Sequence, residues 1–155
     1  MTAYTNIRDS ALDSRKPFVY RHLVTFEDTN VVGNVYFARH ISWQGRCRES
    51  FLKAYAAGIV ADLKGNFRLV TLQVSCEYYE ELHALDEIEV RMRLAYLRQH
   101  KIGLDFDYMV INGGENILMA KGFQEIGCME VTSRGLQAVT PPEDLARALQ
   151  QFTHT

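Results

Sequence analysis

The 155-residue chain has no apolar run approaching the roughly 18 residues that a membrane-crossing helix needs, so no transmembrane segment is expected. Its opening residues, MTAYTNIRDSALDSRKP, lack the apolar core of a signal peptide, which points to a cytoplasmic protein. Cysteine is scarce. Cys47, Cys76 and Cys128 form an odd, dispersed set, neither a disulfide framework nor a zinc-ligand spacing. The histidines at 22, 40, 83, 100 and 154 make no short ligand motif, so no metal is expected. Charge of one sign is also missing: the net charge is -2 and no basic cluster occurs, which argues against nucleic-acid binding. No G-x-S-x-G elbow is present, which argues against a Ser-His-Asp hydrolase. Without repeats, low-complexity runs or linkers, residues 1–155 read as one domain, with polar residues 1–16 as a loose arm.

Apolar residues make up 47% of the chain, enough to build a core. From Phe18 the pattern is strand-like, with Phe18, Tyr20, Val24 and Phe26 alternating and His22 interrupting. DTNVVGNVYF, from Asp28 to Phe37, carries turn residues. Tyr36 to about Ala57 has no proline and reads as one long helix, with Gly58 as its stop. Alternation then marks strands around Val70 to Tyr78, Ile88 to Tyr96 and Ile102 to Val110. In the second of these, Glu87, Glu89, Arg91 and Arg93 form a face expected to lie in water. Asn112-Gly113-Gly114 signals a hairpin, with a further strand from about Asn116 to Val131. Pro141 and Pro142 open a short amphipathic helix reaching about Gln150. The order is strand, long helix, four strands in a meander, short helix. One long helix must bury its apolar stripe on one antiparallel sheet, giving an α+β domain with the sheet wrapped around the helix. Exposed edges of such a sheet are usually paired, and a dimer with a continuous sheet is the economical solution.

Helical phase separates the charged residues of the long helix. Arg39, Ser42, Arg46, Glu49 and Lys53 share a face and read as a solvated stripe. Arg48 falls instead among Ile41, Gly45 and Leu52. A guanidinium in such surroundings snorkels to water, ties down a loop carbonyl, or faces a pocket and donates to an anion-like centre, because burying it unpaired is costly. Gly45, almost one turn earlier, either opens room beside it or packs closely on the sheet. Before the helix, Asn34 is a candidate N-cap and Gly33 a candidate for positive φ. Helix-start amides there are able to polarise a carbonyl.

DTNVVGNVYFARHISWQGRCRESFL, Asp28 to Leu52, resembles the loop and central helix of the 4-hydroxybenzoyl-CoA thioesterase-like branch of the hotdog-fold thioesterases. Within that branch it is most similar to the thioesterases of enediyne polyketide biosynthesis. The resemblance implies a hotdog fold, an antiparallel five- or six-stranded sheet around one long central helix. Many relatives carry an aspartate three residues before the loop glycine, as base or nucleophile. Here Asn30 stands there, and Asp28 is two residues too early to replace it. The enediyne enzymes share this asparagine and the helix arginine, which carries over Asn30 and Arg48 as catalytic residues and Phe37 for its backbone amide. Apart from the resemblance, Gly33, Tyr36, Gly45 and Thr71 are candidate substrate contacts; Thr71 is polar and faces opposite Val70 and Leu72, where a solvated strand face is the commoner role. The implied reaction is release of a polyene β-ketoacyl chain from an acyl carrier protein domain of an iterative polyketide synthase, followed by decarboxylation of the freed acid. No cofactor is implied beyond the phosphopantetheine that carries the substrate, and the assembly implied is a homo-oligomer, a dimer of dimers. A long acyl chain needs an apolar tunnel, for which Tyr36, Phe37, Trp43, Phe67, Tyr78, Tyr79 and Met129 are candidates, although core packing is the commoner role for such residues. The alternatives are a generic aromatic or fatty acyl-CoA thioesterase, and a non-enzymatic acyl-binding sensor. A hotdog dehydratase would need a histidine and a carboxylate together; His40 has no matching carboxylate in the sequence.

Overall fold

The computed structural model describes residues 16–153, so the arm expected at residues 1–16 lies almost wholly outside them. Strand β1 spans Phe18–Leu23, and helices α1 and α2 span Ala38–Tyr55 and Ala57–Asp62. Strands β2 (Phe67–Tyr78), β3 (Glu87–Arg98), β4 (Lys101–Val110), β5 (Ile117–Thr132) and β6 (Gly135–Ala138) follow, and helix α3 (Glu143–Gln150) ends the order. All pairings are antiparallel, in the order β1-β3-β4-β5-β2, with β6 joined to β5. This is the α+β hotdog arrangement expected from the sequence.

The core follows from helical spacing. His40, Trp43, Gln44, Cys47, Phe51 and Leu52 are buried on one side of α1, while Ser42, Arg46, Glu49 and Lys53 lie exposed on the other. The inner side packs on inward residues of the sheet, among them Val90, Met92, Leu104, Phe106 and Ile126. Helix α3 closes one end: Phe152 meets Phe18, Phe51 and Tyr55 edge-on, with ring centroids 5.8, 5.7 and 5.1 Å apart.

Four expectations need correction. Only β3, β4 and β5 form a meander; β2 crosses to the far edge and pairs with β5, because α1 and α2 carry the chain over the sheet before β2 begins. The helix stops at Ala56, whose φ of -143° and ψ of 46° break it, and Gly58 lies inside α2. Asn34 does not cap α1, whose N-cap position is held by Phe37 without a side-chain bond; Asn34 instead bridges to His83. The charged face of β3 is not simply wetted. Arg93 and Glu89 are buried, because Arg93 pairs with Asp107 on β4 at 2.8 Å and Glu89 pairs with Arg91 at 2.7 Å. Short β6 has no counterpart in the sequence pattern, since its four residues are all exposed and carry no alternation.

Candidate active site

The loop from Asp28 to Phe37 is held at both ends. Asp28 accepts from Tyr36 N through its carbonyl at 3.0 Å, and Thr29 bridges to Val35. Its carboxylate is turned inward and 6% exposed. It accepts from His22 Nε2 at 2.9 Å, Thr25 N at 3.0 Å and Thr25 Oγ1 at 3.3 Å. Burial alone would raise this carboxyl, but the Thr25 amide and His22 outweigh it and hold it below its ordinary value. Thus Asp28 is spent on holding the loop, in keeping with its exclusion as a substitute for the missing loop carboxylate.

Asn30 sits exposed at the tip of this loop. Its Oδ1 accepts from Val32 N at 3.0 Å, and its backbone exchanges bonds with Asn34 and Gly33 at 2.9 and 3.1 Å. Gly33 has φ of +91°, the left-handed conformation that favours glycine. Val31, Val32, Tyr36 and Phe37 present exposed apolar surface around it. Phe37 opens α1, and its carbonyl accepts from Tyr78 Oη on β2 at 2.7 Å.

Arg48 lies deeper along the helix, three turns on. Its Nη1 donates to Gln124 Oε1 on β5 at 3.2 Å and reaches Thr71 Oγ1 on β2 at 3.5 Å. Its Nε is buried without a hydrogen-bond partner. Burial pulls the guanidinium pKa down while Glu49 pulls it back, and arginine keeps its charge at neutral pH. Beside it runs an apolar crevice lined by Phe51, Leu69, Ile102, Leu104, Ile126 and Leu149, with a free volume of only about 10 Å³. Nothing lies within 4 Å of where a Cβ on Gly45 would stand, so space rather than tight packing surrounds this glycine.

The fold therefore brings Arg48 and Thr71 together. Within one chain it does not join them to Asn30 or Phe37: eleven residues of helix separate Phe37 from Arg48, roughly 16 Å at about 1.5 Å per residue. Of the tunnel candidates, Trp43 is core, Phe67 packs against the core, Tyr79 and Met129 are half-buried, and Tyr36, Phe37 and Tyr78 are exposed. Sequence reasoning missed Gln124 as the partner of Arg48, because a polar residue on a strand gives no sign of the helix residue it faces. It also passed over His40, whose ring is buried with both nitrogens unpartnered.

A curled antiparallel sheet wrapped on one long helix, with a half-buried arginine beside an apolar crevice, is the architecture of a hotdog-fold protein. Residues 24–149 match the model of the thioesterase-like superfamily, and the chain belongs to that family. It is 30% identical over 107 residues to a putative esterase of Aquifex aeolicus, covering 68% of this chain and 79% of that protein. Among solved structures it is 44% identical to the dynemicin thioesterase, covering 90% of this chain and 99% of that one, with a TM-score of 0.87. That enzyme is described with induced-fit and allosteric effects upon polyene binding. A 1,4-dihydroxy-2-naphthoyl-CoA thioesterase from Synechocystis shares the fold at 20% identity, covering 90% and 99% of the two chains, with a TM-score of 0.76. The resemblance to the enediyne thioesterases is thereby borne out, and the protein is a thioesterase.

Proposed function

We propose that this thioesterase releases a long polyene β-ketoacyl chain from the phosphopantetheine of an acyl carrier protein domain, in polyketide biosynthesis of the enediyne type. The observation that carries this reading is Arg48: a charged donor at an apolar crevice, in a chain whose loop offers no carboxylate and which is 44% identical to a thioesterase described with polyene binding. A crevice of about 10 Å³ in the single chain is too small for such an acyl chain, so its channel is widened on binding or built with the second copy.

Hydrolysis needs no protein carboxylate. A water oxygen attacks the thioester carbon while the Phe37 amide and Arg48 donate to the carbonyl oxygen, which becomes an oxyanion. Asn30 orients the thioester or the water. Collapse breaks the C–S bond, and the thiolate leaves with a proton from the water. One such donor is typically worth ~2.7–4 kcal/mol of barrier, enough for an activated thioester already tethered in place. In the freed β-keto acid the bond from Cα to the carboxyl carbon then breaks. Its electron pair forms the enol double bond, the carboxyl proton passes to the β-oxygen, and carbon dioxide leaves.

The site is completed by a second copy. Arg48 touches Thr71 on edge strand β2, whereas the helix start sits at the opposite end of that strand, bound through Tyr78. Antiparallel pairing of β2 with its own copy sets the Tyr78 end of one against the Phe67 end of the other. That pairing carries one copy's Asn30 and Phe37 toward the other's Arg48, twice over in a two-fold assembly. Two such dimers make the expected dimer of dimers.

Coexpressed Asn30→Ala and Arg48→Ala chains, purified through a tag on each, test both points. A mixed dimer holds one intact and one doubly defective site, and doubly tagged tetramers also contain some unmixed dimers, so roughly a quarter to a half of wild-type activity is expected, against little for either variant alone. No recovery would place both residues of a site in one chain. The substrate is tested by turnover of a β-ketoacyl polyene on the carrier against the same acyl group on coenzyme A. Faster turnover of the coenzyme A thioester would favour the generic acyl-CoA thioesterase reading, and binding without product the sensor reading.

A further inference from the structure

The start of α1 holds polar atoms that hydrolysis does not use. A cavity of about 250 Å³ there is lined by Asn34, Phe37, His40 and Tyr78, and by the carboxylate-bearing Glu80 and Glu81. His40 is 3% exposed, and neither ring nitrogen has a hydrogen-bond partner; Asn34 Oδ1, on the same wall, is also buried and unpartnered. Rings of Tyr78, Trp43 and Tyr108 surround the imidazole, with centroids 4.7, 5.2 and 5.2 Å away. Both tyrosine hydroxyls donate to main-chain carbonyls, Tyr78 to Phe37 at 2.7 Å and Tyr108 to His40 at 2.6 Å. Burial pushes the ring down to about 4, partly offset by the nearby Phe37 carbonyl, which already accepts from Tyr78 and is not aligned to complete a hydrogen bond with the ring, so at neutral pH the imidazole is uncharged and offers one donor and one acceptor.

A phenylalanine would fill this aromatic box without the cost of burying ring nitrogens, so packing does not account for an imidazole here. The position does. The cavity shares Phe37 with the helix start, and a β-ketoacyl thioester has its second carbonyl two carbons beyond the first. A thioester oxygen held at the Phe37 amide would set the β-oxygen, two carbons further on, toward the cavity that His40 also lines. We propose that the His40 ring N–H donates a hydrogen bond to the β-oxygen of a β-ketoacyl thioester, making the enzyme selective for β-ketoacyl over saturated acyl chains. Asn34 Oδ1 offers an acceptor to the hydroxyl of the enol form. The hydrogen bond withdraws electrons from the β-carbonyl and so leaves the neighbouring thioester carbon more open to attack. This assignment rests on the β-ketoacyl reading of the site given above.

The test is the ratio of kcat/KM for the β-ketooctanoyl and octanoyl thioesters of N-acetylcysteamine. Wild type should favour the β-keto substrate. In His40→Phe the ratio should fall about tenfold, the size of one neutral hydrogen bond, and His40→Gln, which keeps a donor, should regain most of it. A ratio unmoved in His40→Phe, including an equal fall for both substrates, would reduce His40 to a packing residue. A second readout needs no variant. The His40 ring N–H resonance in the wild type should move on saturation with a non-hydrolysable β-ketoether analogue and not with its saturated counterpart; equal response to both overturns the assignment. Wild type active on both thioesters without preference removes this assignment alone, whereas wild type inactive on both and on the carrier-bound polyene removes the underlying function with it.

Discussion

Replacing Arg48 by methionine should cost catalysis far more than stability. Methionine fills the crevice with an unbranched apolar chain and removes the guanidinium alone. The lost donor to the developing oxyanion is worth ~2.7–4 kcal/mol, so kcat should fall by roughly 10²–10³. Two stability terms oppose each other. The variant no longer buries a charge whose Nε has no partner. Against that, Gln124, only 3% exposed, loses the donor that sits 3.2 Å from its Oε1, at a cost of about 1–3 kcal/mol. The unfolding free energy should therefore shift by less than about 2 kcal/mol. Steady-state release of free thiol from an acyl thioester, with a denaturant curve on the same preparation, reads both quantities. A folded variant with near-native kcat refutes the role. A raised KM with unchanged kcat would leave Arg48 as a ground-state contact only.

Two further outcomes follow from the core beneath the site. A Cβ on Gly122 would collide with Gln44 Nε2, on a buried side chain bonded to Ser75 O at 3.1 Å, so Gly122→Ala should destabilise by about 1–3 kcal/mol in denaturant unfolding, with part regained when Gln44→Ala is added. His40 sets an acid dependence: its folded value of about 4 lies below the ordinary 6.5, so the unfolded chain takes the proton first as pH falls. Stability should then decline between pH 6.5 and 4, by on the order of 3 kcal/mol, and level off below, and His40→Phe should flatten that slope in Tm against pH.

Much of the fold was legible because burial leaves a period. Helical spacing set Ser42, Glu49 and the rest of the polar stripe on one side of α1 and Arg48 on another. Two-residue alternation located β2 to β5, and Asn112-Gly113-Gly114 made its hairpin with φ of +58° and +85° at the glycines. The same local signals misread the edge of the sheet. Alternation tells which residues of β2 share a face but not which strand lies beside it, so it suggests a meander where a crossover occurs. Nor does alternation report that Arg93 on β3 meets Asp107 on β4, since that pairing depends on register.

The sequence by itself determined the long helix and strands β2 to β5, the phase that sets Arg48 apart from the polar stripe, and the asparagine in place of a carboxylate at position 30, because each depends on residues near one another along the chain; it did not show β6 or the break at Ala56. Only the tertiary structure decided who meets whom. It joined Arg48 to Gln124 and Thr71, turned Asp28 onto His22, left His40 boxed in rings without a partner, and separated Asn30 from Arg48 by the length of a helix. Those relations come from strand order, register and helix length, which bring Arg48 to Gln124 across 76 positions of chain, and no local pattern encodes them.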